Sequence, residues 1–243
     1  MARRVVTAVM AALALGTGLL AQTPRPPEPL LSKLLRIAGL TAAPSQMRGP
    51  ADNAAVGNIW IASVDRRSVR GLTTDGGYRS PIFINDTPLV LAIRGNSVVR
   101  LGAQGGSAIP LPDTPNIVKL VGIDATSPGE VIVLLDAPAR SSPLGVLSLQ
   151  SGKVSPLPYD DSSEQQRRLL AQIRAQDRTY GETRVYTKME TKPGLSRPIE
   201  WTDVFVTRGA GSPQNVSACD GANCAQPALS PDGRSVAFVK VQD

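Results

Sequence analysis

A pattern of paired short strands recurs along this chain and restricts its fold more than any other feature. Four segments each combine an apolar strand, a polar turn that usually holds glycine, and a second short strand. We name them outer hairpins: NIWIASVDRRSVRGLT (58–73), NSVVRLGAQGGSAIPL (96–111), LGVLSLQSGKVSPLP (144–158) and TDVFVTRGAGSPQNVS (202–217). Short apolar runs bounded by such turns are typical of antiparallel strands.

Four further segments alternate with these and consist of a tight turn followed by a strongly β-prone strand. We name them inner hairpins: PIFINDTPLVLAI (81–93), LVGIDATSPGEVIVLL (120–135), TYGETRVYTKM (179–189) and ALSPDGRSVAFVKV (228–241). Their turn residues Thr87, Gly129, Gly181 and Gly233 are 42, 52 and 52 residues apart. The longer intervals hold a polar insertion and a cysteine loop. Without them the period approaches the roughly 40–45 residues of a four-stranded propeller blade.

The repeat predicts an all-β protein, namely a β-propeller of about four blade equivalents that is either a closed ring or an open partial propeller. Strands such as EVIVLL and SVAFV are apolar on both faces, as expected where sheets pack on both sides. One hypothesis pairs the outer hairpin 58–73 with the inner hairpin 228–241, which would close a four-bladed ring by strand exchange. The alternative arrangement is an open arc cut from a larger propeller. A sandwich of short antiparallel strands is the main alternative.

The residues before the repeat divide into two segments. Residues 1–21 have a basic start and a long apolar run that ends in small residues, which predicts a signal peptide. A single membrane anchor is the alternative, and it would be the chain's only membrane contact. Residues 22–56 form a Pro-rich linker with a short amphipathic helix at 30–40, and residues 57–243 form the propeller domain. We therefore expect an exported protein, periplasmic or secreted.

The chain contains no histidine, which excludes Ser-His-Asp and Cys-His catalysis and removes the commonest zinc ligand. It also lacks a G-x-S-x-G motif. We therefore expect a protein that is not an enzyme, with no cofactor and no metal site. The net charge of +6 is spread along the chain, so we expect no nucleic-acid partner.

Two short motifs favour structural roles. Cys219 and Cys224 enclose DGAN, and two cysteines this close in an exported chain predict one short-loop disulfide. The tetrapeptide Ser230, Pro231, Asp232 and Gly233 predicts a tight turn, because proline fixes φ, glycine accepts positive φ and the aspartate can bind backbone amides.

The insertion DSSEQQRRLLAQIRAQDR (161–178) predicts a helix. Ser162 or Ser163 can cap it, with glutamine at the third following position. A basic tract of Arg167, Arg168, Arg174 and Arg178 lies among Leu and Ile residues, so an amphipathic helix on the propeller rim is expected. Its polar face is a candidate partner-docking surface.

The segment LSPDGRSVAFVK (229–240) closely resembles the Ser-Pro-Asp-Gly repeat of TolB-like β-propellers. The segment IWIASVDRRSVRGLTTDGG (59–77) resembles the outer half of that unit, and the resemblance covers about residues 58–243. It implies a binding or scaffold module with a protein or peptide partner.

The same repeats occur in the propeller of prolyl-oligopeptidase-like serine peptidases, which the region from TRVYTK to SVAFV also resembles. That resemblance implies a truncated or separated propeller that gates peptides to an absent hydrolase domain. No catalytic residue can be carried over, because neither the G-x-S-x-G elbow nor a histidine occurs here. An accessory subunit of a separate enzyme is a third hypothesis.

Overall fold

The computed structural model describes residues 55–84, 88–112, 114, 117–124, 127–136, 142–158, 160, 162–164, 166–167 and 178–241. The predicted signal peptide, the helix at 30–40 and the turn residue Thr87 lie outside this part of the chain.

Sixteen strands are present in the described residues. They are β1 (Asn58–Ser63), β2 (Val69–Gly71), β3 (Tyr78–Phe83), β4 (Leu89–Arg94), β5 (Ser97–Gly102), β6 (Ile109–Pro110), β7 (Ile117–Asp124), β8 (Ser127–Leu135), β9 (Leu144–Ser148), β10 (Val154–Pro156), β11 (Arg178–Tyr180), β12 (Thr183–Lys192), β13 (Ile199–Arg208), β14 (Gln214–Asn215), β15 (Cys224–Leu229) and β16 (Ser235–Lys240). Each predicted hairpin coincides with two consecutive strands.

The strands form four four-stranded antiparallel sheets. Sheet I has the order β15-β16-β1-β2, sheet II β3 to β6, sheet III β7 to β10 and sheet IV β11 to β14. The all-β class and the number of sheets agree with the prediction of four blade equivalents.

Sheet I joins strands that are far apart in sequence. β1 pairs with β16 along its whole length, with Asn58 opposite Lys240 and Trp60 opposite Phe238. Gly57 lies so close to Lys240 that an added Cβ would be 2.2 Å from its carbonyl oxygen, so only glycine fits. The predicted pairing of hairpins 58–73 and 228–241 is therefore confirmed.

One backbone hydrogen bond recurs in every sheet and defines equivalent residues. The amide after the fourth strand of each sheet donates to a carbonyl on or beside the third strand, at 2.7–2.9 Å. The pairs are Leu72 to Ile59, Leu111 to Val98, Leu157 to Leu144 and Val216 to Val204. The four sheets are thus structural repeats of one unit.

Three apolar clusters join the sheets in the order IV–I–II–III. Sheets II and III share Leu91, Val98, Leu120, Val131 and their neighbours. Sheets I and II share Ile59, Ala237, Val90 and Leu101, and sheets I and IV share Phe238, Val236, Val185 and Val204. Both faces of β8 are buried, as predicted for EVIVLL.

The strand contacts follow the same order. β3 lies against β15 on one side and β7 on the other, and β15 also contacts β12 and β13. Within the described residues, no contact of similar extent joins the strands of sheets III and IV. The described residues therefore show four four-stranded sheets that pack in the order IV–I–II–III and do not show a closed ring.

A buried carboxylate organises sheet IV. Oδ1 of Asp203 accepts hydrogen bonds from the Ser217 hydroxyl at 2.8 Å and the Cys219 amide at 2.6 Å. Its Oδ2 accepts from the Trp201 indole at 2.8 Å and the Asn215 amide group at 2.9 Å. Four donors compensate the burial of the charge.

The predicted disulfide is present between Cys219 and Cys224, in the connection from β14 to β15. Both cysteines are buried in the cluster between sheets I and IV. The bridge therefore fixes the segment through which the chain passes from sheet IV to sheet I.

The inserted helix is described only at its start. Glu164, Gln166 and Arg167 are helical, and the Ser163 hydroxyl accepts the Gln166 amide at 3.4 Å as a cap. The prediction that Arg178 belongs to this helix is wrong, because Arg178 is the first residue of β11, where its backbone pairs with Val185.

Candidate binding groove

A groove of about 790 Å³ lies between sheets I and II and is open to solvent. It is placed at one end of both sheets, where the first strand connects to the second and the third to the fourth. Its lining consists of Ile61, Ala62, Ser63, Ser68, Arg70, Phe83, Ile84, Pro88, Ala103, Gln104, Ser230, Pro231, Asp232 and Ser235. The groove thus collects residues from four separate turns and strand ends.

The predicted Ser-Pro-Asp-Gly turn forms part of one wall. The Ser230 hydroxyl donates to Oδ1 of Asp232 at 2.6 Å and accepts the Ser235 amide at 2.9 Å. Oδ1 of Asp232 also accepts the Arg234 amide at 3.0 Å. Gly233 has φ of 67°, which the turn requires and other residues rarely adopt. The side chain of Asp232 is thereby fixed at the groove.

The carboxylate of Asp232 is exposed and charged. The hydrogen bond from the Ser230 hydroxyl, and next the Arg234 amide, hold the pKa of Asp232 below its ordinary value of 3.8. No described basic side chain forms a salt bridge with it. A negative charge therefore faces solvent at the rim of a groove whose lining residues are half polar and half apolar.

Arg70 on β2 connects the two sheets at the groove. Its guanidinium donates to the carbonyl oxygen of Ala103 and, at 3.2 Å, to Oε1 of Gln104. Both acceptors follow β5, so this contact holds the third-to-fourth connection of sheet II against sheet I. The cation of Arg70 is used to fix the groove's shape.

The apolar surface comes mainly from sheet II. Ile84 and Ala103 are buried, Phe83 is half-buried and Pro88 is exposed. Pro231 contributes from the opposite wall. Rigid apolar walls with a few fixed polar groups are typical of binding sites.

Two of the four lining serines, Ser63 and Ser230, use their hydroxyls in turns, to which Ser68 and Ser235 contribute backbone amides. The Ser63 hydroxyl accepts the Ser68 amide at 3.0 Å, and Ser230 is held as described above. Neither histidine nor lysine is among the lining residues. The one carboxylate among the lining residues, Asp232, accepts a hydrogen bond from Ser230 and also accepts the Arg234 amide, so it forms part of the turn.

A second polar cluster links the innermost strands. Oε1 of Gln226 on β15 accepts the Ser80 amide of β3, and the Ser80 hydroxyl accepts the Leu120 amide of β7 at 2.8 Å. Gln226 and Ser80 have φ of 54° and 53° at irregularities of their strands. These polar groups bond to one another and hold three sheets together.

The predicted partner-facing arginines are not brought together as one described surface. Arg167 forms an exposed ion pair with Glu164 at 2.7 Å, and it does not line the groove. Arg168 and Arg174 lie outside the described residues, and Arg178 lies on β11.

Among the described residues, no three His, Cys, Asp or Glu side chains are grouped closely enough to hold a metal ion. The helical residues that the structure describes do not form a helix of the length and hydrophobicity needed to cross a bilayer.

Comparisons with known proteins give little information on this chain. No family model matches it, and no curated protein matches it. It is similar to a solved structure from Agrobacterium tumefaciens assigned as a TolB, with 15% sequence identity and a TM-score of 0.37. The alignment covers 74% of this chain and 59% of that structure, so this chain spans less than two thirds of its length. A likeness of this size does not show a family.

Proposed function

We propose that this protein is a non-catalytic, exported, propeller-type binding module that captures an extended segment of a partner protein or peptide in the groove between sheets I and II. The observation that carries the proposal is the groove itself, with apolar side chains from both sheets and the exposed Asp232 carboxylate. Its volume lies within the roughly 300–1,000 Å³ common for ligand sites.

The chemistry of the groove favours an apolar segment that carries a positive charge. Phe83, Ile84 and Pro88 offer contact surface to one or two apolar side chains. Asp232 offers an exposed carboxylate that forms no salt bridge among the described residues to a lysine, an arginine or a terminal ammonium group. An extended segment can present both, because neighbouring side chains point to opposite sides of the backbone.

Two features of the chain support the remaining parts of the proposal. The absence of histidine and the engaged serines favour binding over catalysis. The disulfide between Cys219 and Cys224 is compatible with export, since disulfides persist in oxidising compartments.

Fluorescence polarisation with a labelled positional-scanning hexapeptide library tests the proposal. We expect saturable binding by peptides that combine a large apolar residue with Lys or Arg, and at least about tenfold weaker binding by Asp232→Asn, since losing a charge-assisted hydrogen bond removes about 1.5–3 kcal/mol. Glu200→Gln, an exposed carboxylate on sheet IV, is the matched control. Absence of saturable binding, or equal binding by Asp232→Asn and wild type, would show the proposal to be wrong.

A further inference from the structure

The hairpin of β12 and β13 is longer than its counterparts. These strands pair over ten residues, whereas β4 with β5 and β16 with β1 pair over six. The neighbouring strands cover only its base: β11 pairs with residues 183–185 and β14 with residues 205–206. The outer part, residues 189–200, therefore extends beyond sheet IV as a two-stranded projection, which we name the arm.

The arm carries exposed apolar side chains. Met189 and Ile199 are about half exposed, and Leu195 at the tip is fully exposed. Lys192 and Arg197 flank Leu195 and are also exposed. A large apolar residue between two cations at the end of a projection is suited to insertion into an apolar site with a negative rim.

The tip is held in one shape. A Cβ on Gly194 would lie 2.2 Å from the Arg197 carbonyl oxygen, so the chain closes tightly around that glycine. Pro193 and Pro198 flank the turn, and proline removes the amide that an added strand would need. The tip is therefore suited to contact through its side chains rather than through strand pairing.

The arm and the groove lie at opposite ends of the molecule. The Thr202 amide at the base of the arm donates to Asn223, immediately before β15, at 3.1 Å. The groove residues Ser230 to Asp232 come immediately after β15. The six residues of β15 separate the two by about 20 Å at ~3.3 Å per residue. A tip pointing away from the groove at this distance cannot fill the groove of its own molecule.

We infer that the occupant of the groove is the arm of a second copy of this chain, with Leu195 against Phe83 and Pro231 and Arg197 paired with Asp232. The inference rests on the proposed function of the groove and names its partner. Charge complementarity supports it: the tip offers the exposed cations of Lys192 and Arg197, and the groove offers the exposed Asp232 carboxylate, which interacts with the charge of Arg234 but forms no salt bridge among the described residues.

The contact joins two different surfaces, so it is a head-to-tail interface. Each copy that binds through its arm keeps a free groove, and assembly can continue along one direction. A mixture of a variant with a defective arm and a variant with a defective groove tests for a head-to-tail interface, because the intact arm of one variant can still bind the intact groove of the other. A Leu195→Ser copy retains its groove, an Asp232→Lys copy retains its arm, and one contact between them remains possible.

Sedimentation velocity at increasing protein concentration tests the inference. We expect wild type to form dimers and larger species, and each single variant to associate at least about tenfold more weakly, since a buried Leu side chain contributes about 1.5–3 kcal/mol. An equimolar mixture of the two variants should form dimers and stop there. Ile109→Ser, which changes an exposed apolar residue on β6, is the matched control and should associate like wild type.

Both variants change exposed residues, and circular dichroism establishes that they fold. A wild type that stays monomeric at all concentrations, or a mixture that behaves like its separate components, overturns the inference. A labelled peptide of residues 191–199 separates this failure from that of the proposed function. If library peptides bind the groove but this peptide does not, the second-copy assignment alone is wrong. If neither binds, both proposals are wrong.

Discussion

Replacing Asp203 by alanine should destabilise the protein more than any other single change to a polar side chain described above. The carboxylate is 2% exposed, and two of its donors are equally inaccessible: Ser217 is 4% exposed and Cys219 is 2% exposed. Asp203→Ala leaves the Cys219 amide without an acceptor and leaves the Ser217 hydroxyl only the longer hydrogen bond to Oδ1 of Asn215 at 3.4 Å. The indole of Trp201 and the amide of Asn215 are only partly buried and can turn to water.

The expected magnitude follows from these two buried donors. The orphaned Cys219 amide costs about 1–3 kcal/mol, and the weakened hydrogen bond of Ser217 adds about 1–2 kcal/mol. Removing a buried charge recovers part of this through desolvation, and we expect a net loss of about 2–3 kcal/mol. A typical domain has only about 5–15 kcal/mol of stability. Asp203→Asn keeps one oxygen as the acceptor for Ser217 and Cys219, but it places an NH₂ donor against the donors of Trp201 and Asn215. We therefore expect the free energy of unfolding to fall by about 1–2 kcal/mol.

Urea unfolding at constant pH, followed by circular dichroism with the disulfide intact, measures these differences. Glu200→Ala is the control, because Glu200 is exposed on the same strand and should change stability by less than about 0.5 kcal/mol. The expected order of destabilisation is Asp203→Ala, Asp203→Asn, Glu200→Ala. If Asp203→Ala and Glu200→Ala unfold at the same urea concentration, the hydrogen bonds of Asp203 do not stabilise the fold and the reasoning is refuted.

Three further changes should have measurable effects. Phe238→Ala, in a fully buried position of β16, should lower the free energy of unfolding by about 3–5 kcal/mol in urea, while Ile109→Ala on the surface leaves it unchanged. Replacing Cys219 and Cys224 by serine should lower it by roughly 2 kcal/mol for so short a loop, and a reducing agent should then have no effect on the variant. The lowered pKa of Asp232 means that its carboxylate stabilises the folded state above pH 3.8 and that this contribution is lost as the pH falls through the folded-state pKa. The difference in unfolding free energy between wild type and Asp232→Asn should therefore shrink on acidification below pH 3.8, and a constant difference would contradict the assignment.

The strands, and the combination of β1 and β2 with β15 and β16 in sheet I, could be inferred from repeated local patterns in the sequence. Apolar alternation and turn residues mark every hairpin, and counting outer and inner halves leaves hairpin 58–73 to pair with hairpin 228–241. The boundary of the inserted helix was not predictable to the same degree. Arg178 fits a helical pattern in sequence, but pairing with β12 places it in a strand, since tertiary contacts override local preference at an element's end.

The site was predictable only in part. The turn at Ser230 to Gly233 has a recognisable sequence, whereas Arg70 and Phe83 line the groove because two sheets pack side by side. Asp203 had a signal that could have been used, since a carboxylate within the apolar strand TDVFV must find partners if it is buried. The arm had a weaker sequence signal, namely the long runs of alternating polar and apolar residues on both sides of Gly194.

The pairing of β1 with β16 has a consequence for the order in which the molecule folds. Sheets II, III and IV each use consecutive strands, so each can form soon after its own residues leave the ribosome. Sheet I differs, because β1 is synthesised before all the others and β16 after them. Until then β1 keeps an unpaired edge, and closing so long a loop slows the final step. A nascent chain stalled before β16 would therefore hold three complete sheets, while β15 and the β1–β2 hairpin would lack the strand that joins them, the state in which a chaperone or a protease would meet it.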